Sequence, residues 1–190
     1  MLGFKRPAAF LWLLLSGAVS ARDYGPAVLL MHQFGFLAQA KSIVEGKQLK
    51  LTAAASNAVV TAGQRVTLTL DIELKPGMHV YAPGVEGYIP IEWTMQESDA
   101  AAAHAVSFPK SQMLHLPAID ETVPAYTGRF RLTRDVTIGA ADKVKPALDK
   151  AGQFTLEGTL RYQACDDRVC YIPQNLAVKW TLTFASTRLP

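Results

Sequence analysis

From Val66 to Leu74 every second residue is apolar: Val66, Leu68, Leu70, Ile72 and Leu74 alternate with Thr67, Thr69, Asp71 and Glu73. Successive side chains of a strand point to opposite faces, so such a run has one face to bury and one to wet, and a helix cannot reproduce it. The same period returns where Phe130 and Leu132 alternate with Arg129, Arg131 and Thr133. It slips and resumes at Val136 and Ile138, which predicts a bulge near Arg134. Phe154, Leu156, Leu160 and Tyr162 repeat it, as do Leu176, Val178, Trp180, Leu182 and Phe184. Lys75-Pro76-Gly77 ends the first run as a turn with a preset φ followed by a free one. Shorter candidates at Leu49 to Ala54, Met78 to Tyr81, Ile89 to Met95 and Ala103 to Phe108 bring the expected total to roughly seven to nine strands. The run Asp99 to Ala103 is Ala-rich but short, and Ala140 to Lys150 has room for a turn or two of helix near Pro146. Short, regularly punctuated strands with polar outer faces make an antiparallel sandwich the expected architecture.

The chain has 190 residues, 49% hydrophobic and 18% charged, enough for one well-cored domain and an N-terminal appendage but not for two large domains. The appendage reads as an export signal: Lys5 and Arg6 precede the apolar run Ala8 to Leu15, and Val19-Ser20-Ala21 offers small residues for cleavage. Uncleaved, it would be an N-terminal anchor, although the charge-free stretch Pro7 to Ala21 is short against the roughly 17 to 25 residues a bilayer needs. The expected organisation is a signal at 1–21, a segment of undefined order at 22–48 and a sandwich at 49–186. Lys and Arg total 19 against 16 Asp and Glu, and two of those cations belong to the signal. The remainder lacks the basic stripe that phosphate neutralisation demands, which excludes nucleic acid as a partner.

The chemistry is concentrated in the only two cysteines, Cys165-Asp166-Asp167-Arg168-Val169-Cys170, placed between the last two long strands. In an exported chain so close a pair oxidises unless something reduces it. One reading is a staple, which by loop closure stabilises by roughly 2 kcal/mol. A sandwich with this much apolar strand does not need it. The other is exchange, because bridges across short loops are often strained and exposed, and such bridges exchange more readily. Spacing alone leaves both open. A third reading joins the thiols to His79, His115, Met78 and Met113 around zinc or Cu(I), but four residues between cysteines is wide for a zinc knuckle and no second pair exists. Asp166 and Asp167 disfavour a neighbouring thiolate and Arg168 favours one, so the sign of the thiol shift stays open, as does the plainer view of a solvated loop tip. Trp93 and Trp180 lie in strand patterns as core residues, His32 and His104 have no partner pattern that would make them ligands, and Gly84-Val85-Glu86-Gly87 is a turn rather than a phosphate loop.

The stretch Leu160-Arg161-Tyr162-Gln163-Ala164-Cys165 through Cys170-Tyr171-Ile172-Pro173 resembles the cysteine loop of the N-terminal periplasmic domain of the thiol:disulfide interchange protein DsbD. Leu74-Lys75-Pro76-Gly77-Met78-His79-Val80-Tyr81 is similar to that family's turn and following strand, and Phe108-Pro109-Lys110 and Tyr126-Thr127-Gly128 to its later strands. The likeness runs from about residue 49 to 184, and the cysteine loop is its specific part. It implies an all-β, immunoglobulin-like antiparallel β-sandwich with Cys165 and Cys170 as the redox pair. Cys170 would form the transient mixed disulfide and Cys165 resolve it, with His79 and Tyr81 flanking and Tyr162, Asp166 and Tyr171 supporting. It further implies electron transfer to thioredoxin-like or other periplasmic thiol-disulfide proteins, without a small-molecule cofactor or a metal.

Three departures qualify the likeness. The loop is one residue tighter than in the best-known members. Those members shield the disulfide with an aromatic on a cap loop, whereas His115 to Pro124 holds none, leaving Leu116, Ile119 or Val123 for the role. Longer members continue into a transmembrane electron-transfer domain and a thioredoxin-like domain, so the expected reductant of this chain is a separate membrane or soluble polypeptide. The alternative from another class is a non-enzymatic immunoglobulin-like binding module with a purely structural disulfide.

Overall fold

The computed structural model describes residues 41–117 and 120–186. The signal expected at 1–21, His32 and Ile119 lie outside them. Among the described residues the chain forms thirteen strands: β1 (Ser42–Glu45), β2 (Leu49–Ala55), β3 (Val59–Val60), β4 (Arg65–Leu74), β5 (His79–Tyr81), β6 (Glu92–Met95), β7 (Ala101–Ser107), β8 (Gln112–Leu116), β9 (Glu121–Thr127), β10 (Arg129–Ile138), β11 (Gln153–Tyr162), β12 (Ala164–Cys165) and β13 (Gln174–Phe184). One helical turn, α1 (Ala141–Val144), runs into a 3-10 turn at Lys145–Ala147 around Pro146, where a turn or two was expected.

The strands build three sheets, β1-β2-β4-β10-β7, β3-β13-β11-β6 and β12-β5-β9-β8. All pairings are antiparallel except the two-residue β3 against β13. The first two sheets bury their alternating apolar sets against each other as an immunoglobulin-like sandwich. Leu51, Leu68, Leu70, Ile72 and Leu132 come from one side, and Phe154, Leu156, Leu160, Val178 and Leu182 from the other. Trp93 and Trp180 stack in this core at 5.4 Å between ring centres, and the Trp180 indole donates to the Ala54 carbonyl at 3.0 Å. The outward face of β4 and β10 carries opposite charges in register, Arg131 on Asp71 and Arg129 on Glu73. Exposed pairs contribute little stability, but a one-residue slip would bury them and expose the leucines, so the register is fixed twice over. The expected bulge is present. The β10 to β7 register shifts between Arg134 and Val136, and Asp135 at the shift accepts from Arg65 Nε and Thr67 Oγ1, each at 2.7 Å.

The strand count exceeds the expected seven to nine, for reasons local to each addition. β3 and β12 span two residues each, too few for any period to register. β7 answers the strand expected at Ala103 to Phe108 and takes in the end of the Ala-rich run from Ala101. The segment His115 to Pro124, expected as a cap loop, instead lies mostly within the hairpin of β8 and β9. β1 pairs with β2, so the first sheet begins at Ser42, ahead of Leu49.

Candidate functional site

The third sheet positions the cysteines. In β5 the alternation places Val80 in the main core and His79 and Tyr81 on the opposite face. β12 repeats this at smaller scale: Ala164 pairs with Val80 and enters the core, while Cys165 pairs with His79 and turns away from it. Tyr81, Leu116, Val123 and Cys165 thus form a second apolar cluster, against which Leu114, Val85 and Tyr88 pack.

Beyond Cys165 the chain reverses through a short hairpin and returns at Cys170, which faces Cys165 across an antiparallel bridge and is joined to it by a disulfide. The hairpin is held from within. Asp166 Oδ1 accepts from the Arg168 and Val169 amides, both at 2.8 Å, and Oδ2 accepts from the Tyr171 hydroxyl at 2.8 Å. Short acidic side chains commonly fold turns this way. The Val169 amide, the Tyr171 hydroxyl and the Arg168 amide hold the Asp166 carboxyl below the usual carboxylate range, and the shared proton raises Tyr171. Asp166 is therefore engaged in building the loop, and of its three charged residues Asp167 and Arg168 are the exposed ones.

The two sulfurs differ sharply in access. Cys165 is 1% exposed, whereas Cys170 lies at the surface between Val169 and Ile172, which are 54% and 81% exposed. A cleft of about 140 Å³ opens onto the pair, lined by His79, Tyr81, Tyr88 and Leu116 together with the cysteine hairpin. The Tyr81 hydroxyl stands 3.8 Å from Cys170 Sγ, and the edge of the His79 ring meets Tyr81 at 5.4 Å. Burial raises Tyr81, with the Glu121 carboxylate adding to the effect. His79 is 3% exposed and its Nε2 has no hydrogen-bond partner. Burial lowers its pKa below the ordinary imidazole value, opposed by the Asp167 and Asp166 carboxylates.

Of the expected supporting residues, His79 and Tyr81 line the cleft. Asp166 and Tyr171 act on the hairpin. Tyr162 is not brought to the cleft; it is fully buried in the main core with its hydroxyl on Gln48 Oε1 at 3.4 Å. Of the shield candidates, Leu116 and Val123 join the cysteine cluster. The aromatic comes from elsewhere: Tyr88, on the loop between β5 and β6, lies on Tyr81 at 4.2 Å and donates its hydroxyl to Glu121 Oε2. That bond raises the Tyr88 pKa to about 12. Gly84 and Gly87, at φ 85° and 79°, turn the loop back toward the cleft in a conformation that favours glycine. Tyr88 and Glu121 carried no signal in the sequence beyond an aromatic just after a glycine-bounded turn, since their partnership joins the loop ahead of β6 to the hairpin of β8 and β9. His115 and Met113 sit on β8 with exposed side chains, and among the described residues no group of three His, Cys, Asp or Glu is arranged to hold a metal ion.

The class that fold and site define is an immunoglobulin-like domain presenting a disulfide in a short edge hairpin, one sulfur buried and one open beside an aromatic cleft. The chain belongs to the family of the thiol:disulfide interchange protein DsbD, N-terminal, whose sequence model matches residues 47–181. Among solved structures it is similar to the N-terminal periplasmic domain of ScsB from Proteus mirabilis, with a TM-score of 0.52 and 17% sequence identity. That match covers 75% of this chain and 51% of the other, so this chain spans about half the length of its structural neighbour. No curated protein sequence matches.

Proposed function

We propose that this chain carries electrons to disulfide-bonded partner proteins by reversible oxidation of Cys165 and Cys170. The unequal access of the two sulfurs supports this reading most directly. Cys170 is open to a partner, and Cys165, at 1% exposure, is closed to one and bonded to Cys170. In the forward direction the Cys170 thiolate attacks one sulfur of the partner disulfide, forming a mixed disulfide and releasing the other partner sulfur as a thiolate that takes up a proton. Cys165 then loses its proton and attacks Cys170. The bond to the partner breaks, the second partner sulfur leaves with its electron pair and is protonated, and the Cys165–Cys170 bond is restored. Two electrons and two protons have passed to the partner.

The surroundings suit such a cycle. Tyr81 places a hydroxyl donor near the sulfur that would bear charge. Tyr88 and Leu116 wall the cleft, and Val169 and Ile172 offer a small apolar rim for a docking surface. The partners are thioredoxin-like or other thiol-disulfide proteins, and a membrane or soluble reductant recharges the pair. The compartment is the periplasm or its equivalent, reached through the signal expected at 1–21, with the sandwich as the working domain. Among the described residues no helix is long and apolar enough to cross a membrane.

The test is the equilibrium reduction potential, titrated against thiol buffers with free thiols trapped. A value between about −180 and −270 mV, the range of dedicated exchange proteins, is expected. Alongside it, a Cys165→Ala chain should accumulate mixed disulfides through Cys170. A potential below about −300 mV would sink the proposal and leave a structural bridge in a binding module.

A further inference from the structure

His79 is the one buried side chain of the cleft whose polar atom has nothing to bond. It stands directly opposite Cys165 across the β5 and β12 pair, on the same face, and lines the same cleft. Facing residues of an antiparallel pair hold their Cβ atoms roughly 4.5 to 5.5 Å apart, so the His79 and Cys165 side chains leave the sheet side by side into one cleft. In the oxidised chain that sulfur carries no proton to share. Reduction gives it one. Cys165 is then a thiol sealed from water with the Asp166 and Asp167 carboxylates nearby, a setting that disfavours the thiolate twice over. Cys170 has no such difficulty, being open to water with the Tyr81 hydroxyl at 3.8 Å.

Resting on the exchange reading above, we propose that His79 Nε2 is the general base for Cys165. In the resolving step it takes the Cys165 thiol proton as Cys165 Sγ attacks Cys170 Sγ, and it passes that proton on to the partner sulfur that leaves or to water. The imidazole has to be neutral to do this. Burial keeps it so, against the Asp166 and Asp167 carboxylates. The other groups around it are Tyr81 on its own strand and Tyr88 and Arg168 across the cleft. Along the neighbouring groove lie Lys75 and the mutually paired Glu73 and Arg129. The structure thus divides the labour: a hydroxyl donor serves the attacking sulfur and an imidazole acceptor the resolving one.

The experiment mixes the reduced full chain with excess glutathione disulfide, quenches with acid at intervals and counts the thiol, Cys170–glutathione and intramolecular disulfide forms by mass. For His79→Gln, with near-ultraviolet circular dichroism confirming the fold, adduct formation should change less than about twofold. Its resolution should slow by about a hundredfold at pH 7, the low end of what a positioned base contributes. Wild-type resolution should be flat across pH 7 to 8.5, while the variant climbs about tenfold per pH unit as Cys165 ionises unaided. Equal resolution rates and equal profiles would overturn the role of His79 while leaving exchange intact. A wild-type chain that never reacts with glutathione disulfide would overturn the exchange reading and this inference with it. Should His79→Gln not fold, nitrogen-15 imidazole shifts of the wild type decide: Nε2 is expected to gain a hydrogen bond on reduction, and an unchanged shift refutes the proposal.

Discussion

A single carboxylate shapes the cysteine hairpin. Asp166 accepts two backbone amides and the Tyr171 hydroxyl, which turns the chain tightly enough for Cys170 to face Cys165. Removing it should loosen the hairpin without touching the core. In Asp166→Ala the Arg168 and Val169 amides are expected to lose their hydrogen-exchange protection at neutral pH, while amides of the long strands keep theirs. The sign with pH follows from the lowered pKa. A carboxyl held below its unfolded value contributes order above that value and loses it as pH falls through the folded one. The hairpin of the wild-type chain should therefore loosen only below the ordinary carboxylate range, and a hairpin that loosens near neutrality would contradict this. The family likeness names Asp166 as supporting, but how it supports was not legible in the sequence, where it reads as one of three charges at a loop tip. A carboxylate's field on a thiol can be guessed from adjacency, but its hydrogen bonds depend on where the turn puts the amides.

At the scale of elements, the third sheet and the loop ahead of β6 make the site. A strand of three residues sorts Val80 into the core and His79 and Tyr81 into the cleft, and β12 does the same with Ala164 and Cys165. The loop carrying Tyr88 is then pinned over Tyr81 by Glu121 of β9. Its effect is measurable: Tyr88→Ala should raise the rate of disulfide reduction by dithiothreitol several-fold by opening the approach to Cys170, and Tyr88→Phe, which keeps the ring but not the bond to Glu121, should fall between. An unchanged rate in Tyr88→Ala would show that the ring shields nothing. The family likeness places the shield in His115 to Pro124, a stretch without an aromatic, because likeness transfers positions along the chain. Here the aromatic comes from a different loop and the hairpin supplies Leu116, Val123 and the carboxylate that holds it.

For the whole molecule, stability belongs to the two large sheets and the cysteine chemistry to the third, and the two should separate. A chain with Cys165→Ala and Cys170→Ala together is expected to remain folded in urea titration with a loss of about 2 kcal/mol, the entropy of one short loop. Leu70→Ala, a fully buried side chain between the sheets, should cost about 2 to 5 kcal/mol with no change in reduction potential. A double cysteine variant that fails to fold would reverse this division. Sequence alone determined the sandwich, the bulge near Arg134, the place of the cysteine loop between the last two long strands and the two core tryptophans. All are written in local period or adjacency, and the side chains of a strand alternate whatever surrounds them. Tertiary structure alone decided that Cys165 is closed and Cys170 open, and that Tyr88 meets Glu121 beside the disulfide. Burial and contacts between distant hairpins arise only when sheets pack, and residues far apart in the chain carry no mark of the neighbours that packing will give them.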